Sequence, residues 1–459
     1  MADVVVAGGG LVGQITALML ARRGHRVLVF DSDAGPADGT AEDDFFRWAR
    51  PGVPQGHHGH VWRGRVARVL REEVPDVLDA MFAHGIAKAG FDFGDAFEDD
   101  FALMSRRPVF EAVIRRVVRK EPGVEIRTGD RVVGLTAVSG KVVPRVTGLR
   151  LDSGEQVPAD LVIDACGRRS TAPKWLGEID SGLAMNHYQP CDLHYFARHY
   201  RLRPGAKFPN TTFPDGAFTP YGIFLAMAQD NGTFCLAGGL SKADPLRPGF
   251  RDPRTFDRVM AALPGMQTWA AVGDPITDVR LMGGLANRRR SLITKDRTVV
   301  EGYVLVGDAS LYTNATFGQG VALGFWQAQA LAHRADLIGR ADAALLRGLE
   351  TWTDQTVGPR YEAQVRVDEA MIKGLRDGVA GGPMMGRKDP GAALPAMAAQ
   401  GDVEAEAAFY RIDNLLTELG DELAHDALRL RVEAFLDTIE EGPAGPGPLS
   451  RAKFEALMR

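Results

Sequence analysis

Three features of this 459-residue chain predict an α/β fold with a Rossmann-like first domain, a second domain of mostly antiparallel β-sheet, and a helical C-terminal region. An apolar strand pattern at residues 4–7 runs straight into Gly8-Gly9-Gly10-Leu11-Val12-Gly13. Between about Thr171 and Arg290 the texture changes to alternating strands with a strong hairpin signal, and beyond Gly339 it becomes helical. These shifts set the expected boundaries: 1–170 and 291–340 for the two parts of the first domain, 171–290 for the second, and 341–459 for the C-terminal region.

Residues 4–7 suit a strand buried on both faces, and the glycines follow at the spacing of a strand-to-helix turn. Gly8 permits the turn, Gly10 lets the backbone approach a pyrophosphate, and Gly13 lets the helix sit close on the sheet. Ala17, Leu20 and Gly24 fall where a buried helix face and its C-cap belong, ahead of a second strand at 26–30. Asp31 closes that strand about twenty residues after the glycines, placed to accept hydrogen bonds from a ribose hydroxyl pair. An adenine dinucleotide site follows, either FAD or NAD.

Composition bounds the rest. A net charge of −5 gives no electrostatic reason to expect nucleic acid. The three cysteines, Cys166, Cys191 and Cys235, show no CxxC spacing, which fits a reducing compartment without disulfides or structural zinc. No secretory leader pattern opens the chain, and no apolar run approaches the roughly 18 residues of a membrane span. The expectation is a cytoplasmic, soluble protein.

Residues 34–59 are rich in Gly, Pro, Asp and His and read as a loop. Its core, Pro51-Gly52-Val53-Pro54-Gln55-Gly56-His57-His58-Gly59-His60, holds three of the ten histidines. They read either as a metal site or, with no carboxylate or cysteine nearby to complete one, as polar groups lining a cleft. A helix is expected over 61–74, ended or kinked by Pro75 before a further piece at 77–84. Met104-Ser105-Arg106-Arg107-Pro108 leads into another helix with Val109, Val113, Val117 and Val118 inward and a basic outer face. An arginine just before Pro108 either reaches the dinucleotide phosphates or belongs to a solvated helix start. Short strands follow at 124–128, 132–138, 142–151 and 156–157, with a turn at Ser139-Gly140.

Residues 161–170, ending Asp164-Ala165-Cys166-Gly167-Arg168-Arg169-Ser170, form another buried strand and glycine turn that returns the chain to the cofactor. In the second domain, strands at 193–202, 221–228 and 233–240 are expected, the last two joined at Asp230-Asn231-Gly232. Tyr195, Phe196, Phe224 and Phe234 read as pocket lining or as core. At 302–310 a buried strand ends in Gly307-Asp308, and Thr313-Asn314-Ala315-Thr316-Phe317-Gly318-Gln319-Gly320 leads into a helix at 321–335. An aspartate at such a strand end binds ribityl hydroxyls, which flavins have and nicotinamide cofactors lack. The Gly-Gln-Gly loop points free N–H groups and the positive helix end at the flavin pyrimidine.

These separated motifs resemble the FAD-dependent monooxygenases with a glutathione-reductase-like FAD domain, of the aromatic hydroxylase and alkene epoxidase kind. The resemblance spans roughly residues 3–335. It implies that Gly8, Gly10, Leu11, Val12, Gly13 and Asp31 hold the ADP part of FAD, Asp308 the ribityl chain, and Gly318, Gln319 and Gly320 the flavin ring. The Val53-Pro54-Gln55-Gly56-His57-His58-Gly59-His60 segment looks like the VPQxxHxH stretch of polyether epoxidases. That likeness places Gln55 and His58 beside the flavin, with Asn314 and Phe317 as further candidate catalytic positions, and Arg107 with Arg106 on the cofactor.

Two departures stand out. Cys166-Gly167 replaces the hydroxylases' Asp-Gly pair, although Gly167 and Ser170 keep the spacing, so electrons are expected either from NAD(P)H directly or from a separate flavin reductase. Asn314-Ala315 replaces the usual Asn-Pro. No Trp-x-Trp-x-Ile-Pro stretch occurs, which argues against a flavin halogenase. The implied activity is transfer of one atom of molecular oxygen, through a flavin peroxide, to a small apolar or aromatic substrate. Two alternatives stay open: an FAD dehydrogenase or oxidase working by hydride removal, and a non-catalytic binding protein on the same fold.

Beyond Gly339, Ala408, Ile412, Leu415, Leu416 and Leu419 form one apolar stripe and Leu423, Ala427, Leu430 and Ala434 another, both read as packing against the body or a partner subunit. Residues 373–401 read as a flexible crossing. Gly442-Pro443-Ala444-Gly445-Pro446-Gly447-Pro448 reads as a linker before a short terminal helix.

Overall fold

Strands made of nearly unbroken Val, Leu and Ile are stable only where both faces are covered, and the chain places them so. A computed structural model describes residues 1–89, 101–138, 142–211, 215–295, 297–340, 342–378, 389–439 and 449–459. The turn expected at Ser139-Gly140, the linker at 442–448 and the middle of the 373–401 crossing lie outside these residues. The central sheet runs in the order Tyr303–Leu305, Leu161–Asp164, Asp3–Ala7, Arg26–Asp31 and Val124–Thr128, all parallel. Val5 pairs with Leu28 on one side and Val162 on the other. The helix Leu11–Ala21 covers this sheet, and the helix Gly320–Ala332 packs on it. A Cβ on Gly324 would lie 2.5 Å from Val12, so that glycine sets how close the two helices come.

Pro75 ends one helix, Gly64–Glu73, by starting the next, Pro75–Ala83. The loop expected over 34–59 contains a short helix, Ala41–Phe46, fixed by a reciprocal capping box between Thr40 and Asp43. The strand expected at 142–151 runs Arg145–Leu151.

The second domain is antiparallel throughout, with Asp215–Thr219, Gly222–Ala228, Thr233–Ser241, Leu193–Leu202 and Gly273–Pro275 side by side, and Arg280–Met282 also on Leu193–Leu202. Its two faces do different work. Phe196, Phe224 and Phe234 point to a core with Phe250, Phe256 and Trp269, under the helix Pro253–Ala262. Of the aromatics weighed as pocket lining, these three are core, whereas Tyr195 points the other way and hydrogen-bonds Thr316. That opposite face carries Ala197, Met227, Cys235 and Ala237 against Val61.

The C-terminal region is helical, with Gly358–Asp377 its longest element. Leu415 and Leu416 dock on the body as expected, but the second stripe is corrected. The helix there starts only at Asp426, so Leu423 precedes it, and the buried face is Leu428 and Val432, while Leu430 is 56% exposed. The terminal helix Arg451–Met458 stacks Phe454 on Tyr221, ring centroids 4.1 Å apart.

Candidate active site

Three strand ends meet above the carboxyl edge of the parallel sheet, each opening into a glycine turn. At the first, Gly8 has φ +108° and a Cβ there would sit 2.5 Å from the Ala165 carbonyl oxygen. A Cβ on Gly13 would fall on the Gly8 carbonyl, whereas one on Gly10 would meet nothing within 4 Å. The turn is thus sealed toward the protein and open above Gly10. Leu11 is buried, and Val12 packs under Gly307 and Gly324. The second and third turns converge: a Cβ on Gly167 would lie 4.0 Å from the Asp308 Cβ, and one on Gly320 would lie 3.6 Å from Asp308 Oδ1 and 3.8 Å from Thr313 Oγ1. Burial pushes Asp308 up to about 6 against the pull of Arg107 and Arg168.

Asp31 ends its strand as expected, yet its carboxylate is already engaged. Oδ2 accepts from Arg50 Nη1 at 2.9 Å and from Arg115 Nη1 at 3.1 Å, and Oδ1 from the Asp33 N–H at 3.1 Å. About one of its four acceptor positions stays open to a sugar hydroxyl. Arg50 also binds Glu111 at 2.5 Å. Arg107, Glu111 and Arg115 are spaced i, i+4, i+8 on the helix Arg107–Val118, and all three are buried. The basic face expected in solvent is therefore divided, one stripe turned into the cleft, where Arg115 reaches the Gly9 carbonyl at 3.2 Å. Sequence reading missed Arg50, Glu111 and Arg115, although the four-residue spacing was there to find.

The two adjacent arginines part company. Arg106 is fully buried, with Nη2 at 2.6 Å and Nε at 3.0 Å from Asp230 Oδ1, Nη2 at 2.8 Å from Glu42, and the Phe45 ring beneath it. It ties the second sheet's hairpin to the first domain instead of facing the cofactor cleft, because two carboxylates outcompete any distant phosphate for it. Arg107 faces the cleft: its Nη1 lies 3.1 Å from His60 Nε2, and Asp308 attracts it. His60 Nδ1 contacts the His58 carbonyl at 2.9 Å. An arginine always donates, so Nε2 accepts and the His60 proton sits on Nδ1. Burial lowers His60 to about 3, with Arg107 adding. His60, a member of the expected HxH stretch, was not singled out and is the best-connected of its histidines.

His58 is buried with Nε2 lacking a partner, and desolvation lowers it to about 4 with help from His57, Arg168 and Arg280. Gln55 Oε1 is likewise buried and unpartnered. Among the described residues no group of three His, Cys, Asp or Glu side chains is arranged to hold a metal.

Asn314 donates its N–H to Asn287 Oδ1 at 2.7 Å and its amide to Thr316 and Asp368. The Phe317 carbonyl accepts from Arg63 Nε at 3.0 Å and Nη2 at 2.5 Å, and Arg63 also pairs with Asp413. Gly318, at φ +61°, then turns the chain into the Gly320–Ala332 helix. A small cavity of about 40 Å³ lies beside this loop, bounded by Val61, Arg63, Leu103, Met227, Ala228 and Asp413.

Thr313 Oγ1, Asn314 Oδ1 and Gln319 Oε1 are buried without hydrogen-bond partners, and a Cβ on Gly10 in the first turn would meet nothing. These residues fit a flavin dinucleotide. The nucleotide turn, Asp31 and Arg115 suit the ADP half, Asp308 and Arg107 the ribityl chain, and Gly318 to Gly320 the ring. The replaced aspartate position is also explained locally. Cys166 gives its thiol to the Ala7 carbonyl, while Asp164 two residues earlier binds the Cys166 N–H, Ser170 and Tyr303.

Residues 3–93 match the family model of the FAD-dependent oxidoreductases. That match takes in the first strand, its glycine turn and Asp31, and the fold is shared with PqsL, a probable FAD-dependent monooxygenase. It is similar to Protein Rv3254 of Mycobacterium tuberculosis, 28% identical over 357 residues and 71% of each chain. It is also similar to ubiquinone hydroxylase UbiL of Rhodospirillum rubrum, 26% identical over 391 residues, 82% of this chain and 80% of that one. PqsL of Pseudomonas aeruginosa, solved in complex with 2-aminobenzoylacetate, shares the fold with a TM-score of 0.61 at 17% identity, covering 82% of this chain and 97% of PqsL.

Proposed function

We propose that this chain is an FAD-dependent monooxygenase that transfers one oxygen atom from O2 to an apolar or aromatic small molecule, by hydroxylation or epoxidation, in secondary metabolism. The observation that carries this reading is the wall opposite the ring-side loop. There the second sheet buries an apolar face of Ala197, Met227, Cys235 and Ala237, with Val61 packed on it. Such a face holds a hydrophobic ring and keeps water from it.

FAD, when bound, supplies the redox chemistry and the activation of oxygen. The chain's residues hold and shield. Arg107, fixed by His60, and Asp308 grip the cofactor's middle. His58, kept neutral by burial, offers Nε2 to a polar group of the ligand without adding charge beside the ring. No protein nucleophile is needed, and the thiols are poor ones: burial raises Cys235 to about 12 and Cys166 well above its ordinary value. The names of the relatives, a quinone hydroxylase and an enzyme solved with an aminoaryl keto acid, favour a ring-bearing substrate here too. Electrons come from NAD(P)H or from a separate flavin reductase.

The test is a turnover under ¹⁸O2 with a panel of hydroxylated naphthalenes and terpenoid alkenes, products read by mass spectrometry. One labelled oxygen in the product is expected. Desaturated product with all label in hydrogen peroxide or water would give the chain to the hydride-removing oxidases instead.

A further inference from the structure

Behind the ring-side loop the helix Gly358–Asp377 turns Asp368 into a fully buried position. Its Oδ2 accepts from Asn287 Nδ2 at 2.7 Å, and its Oδ1 from Asn314 Nδ2 and Gln364 Nε2, both at 3.1 Å. The Cys191 thiol points at Oδ2 from 3.8 Å. Four donors meet one carboxylate, about as many as it has lone-pair positions.

An ionised carboxylate only accepts, so every amide touching it must present NH2 and not C=O. The orientation of these amides is therefore set by chemistry and not by choice. Asn287 spends its second amide hydrogen on Gln189 at 2.8 Å and its oxygen on the Asn314 N–H. Asn314 spends its second amide hydrogen on Thr316 Oγ1 at 2.8 Å, and Thr316 is bonded in turn to the Tyr195 hydroxyl. One strong acceptor is left over. Asn314 Oδ1 is buried with no partner, four residues before Gly318 and beside Thr313, whose hydroxyl is also free. Buried acceptors are rarely left unpaired, and an exception in a cofactor loop marks the place of a ligand donor.

We propose that Asp368 is a positioning residue that sets the polarity of the ring-side loop, holding the Asn314 amide so that its oxygen, not its NH2, meets the ligand. The site accordingly selects a ligand with an N–H or O–H group at that point. This rests on the reading of the 313–320 loop as the flavin and substrate wall. The donor is either an N–H of the flavin ring or a hydroxyl or amine on the substrate ring, and the experiment separates them.

The substitution Asp368→Asn replaces an acceptor-only group by one that also donates, which lets the Asn314 amide turn over. FAD affinity is measured by fluorescence, and FAD-loaded full-length protein is titrated with 2-naphthol and with 2-methoxynaphthalene, followed by the flavin absorbance. If the donor is the substrate's, wild type prefers 2-naphthol by about tenfold, the worth of one hydrogen bond, and D368N abolishes or inverts that preference with FAD affinity unchanged. If the donor is the flavin's, D368N weakens FAD by a similar factor. D368E, still acceptor-only, retains the wild-type pattern, which a merely structural role would not predict. N314A removes the acceptor directly, must reproduce the D368N loss, and keeps the question answerable should D368N not fold. Folded D368N and N314A with wild-type FAD affinity and wild-type discrimination overturn the proposal. A wild-type chain that binds no FAD overturns the functional reading, and the proposal with it.

Discussion

His58 and His60 stay neutral in the fold because burial denies them the water an imidazolium needs. The consequence is a stability that depends on pH with a definite sign. In the unfolded chain both titrate near the ordinary 6.5, while in the fold His58 waits until about 4 and His60 until about 3. Their contribution is complete above 6.5 and is lost as pH falls through that window, because the unfolded state takes up protons first. Asp308 works against them. Its folded value of about 6 lies above its ordinary 3.8, so acidification through that interval favours the fold. A shift the size of His58's is worth about 3 kcal/mol at most, and two histidines outweigh one aspartate. The urea midpoint of the cofactor-free protein should therefore fall from about pH 7.5 to about pH 5, with a shallower slope in H58Q. A midpoint indifferent to pH over that range would count against the buried histidines.

Between elements, the hairpin at 230–232 shows how a turn is used twice. Asn231 and Gly232 both take left-handed conformations, at φ +50° and +68°, as a two-residue turn of this hand requires. Asp230, at its entry, is fully buried against the fully buried Arg106. Removing one partner leaves an unpaired charge in the interior, so D230A should lower stability by about 3–5 kcal/mol. The double variant R106A/D230A should cost clearly less than the sum of the two singles in a urea double-mutant cycle. Additive costs would mean that the pair does not couple the first domain to the second sheet. The turn itself was legible from Asp-Asn-Gly between apolar runs, as was the strand, glycine turn and helix of the first thirty residues, because both signals are local. What its aspartate binds was not, since Arg106 is 124 positions away. The same limit hid the inward stripe of Arg107, Glu111 and Arg115, where a charged cleft does what solvent does elsewhere. It also misled the reading of the Leu423 stripe, whose spacing continued across a break the sequence does not announce. The short helix at 41–46 had its Thr-x-x-Asp cap in plain view, but among glycines and prolines that outweighed it.

Taken as a whole, the molecule gathers the supports of its 313–320 loop from distant parts of the chain. Arg63 holds the Phe317 carbonyl and is held by Asp413; Tyr195 holds Thr316; Asn287 and Asp368 hold Asn314. The turn where hydroxylases carry an aspartate here offers a thiol bonded to the Ala7 carbonyl, while Asp164 is used up inside. Direct reduction should suffer: anaerobic FAD-loaded protein should keep its oxidised absorbance with NADPH or NADH and lose it with dithionite or a flavin reductase. Rapid bleaching by NADPH alone would make it a one-component enzyme. The scattered origin of the loop's supports also has a bearing on biosynthesis. A ribosome completes the nucleotide turn, Asp31 and Arg115 early, but Asp368 and Asp413 come in the last quarter of the chain. The nascent protein thus has its first glycine turn long before the supports of the 313–320 loop exist, and a translational pause ahead of Asp368 yields a chain with its parallel sheet made and that loop unsupported.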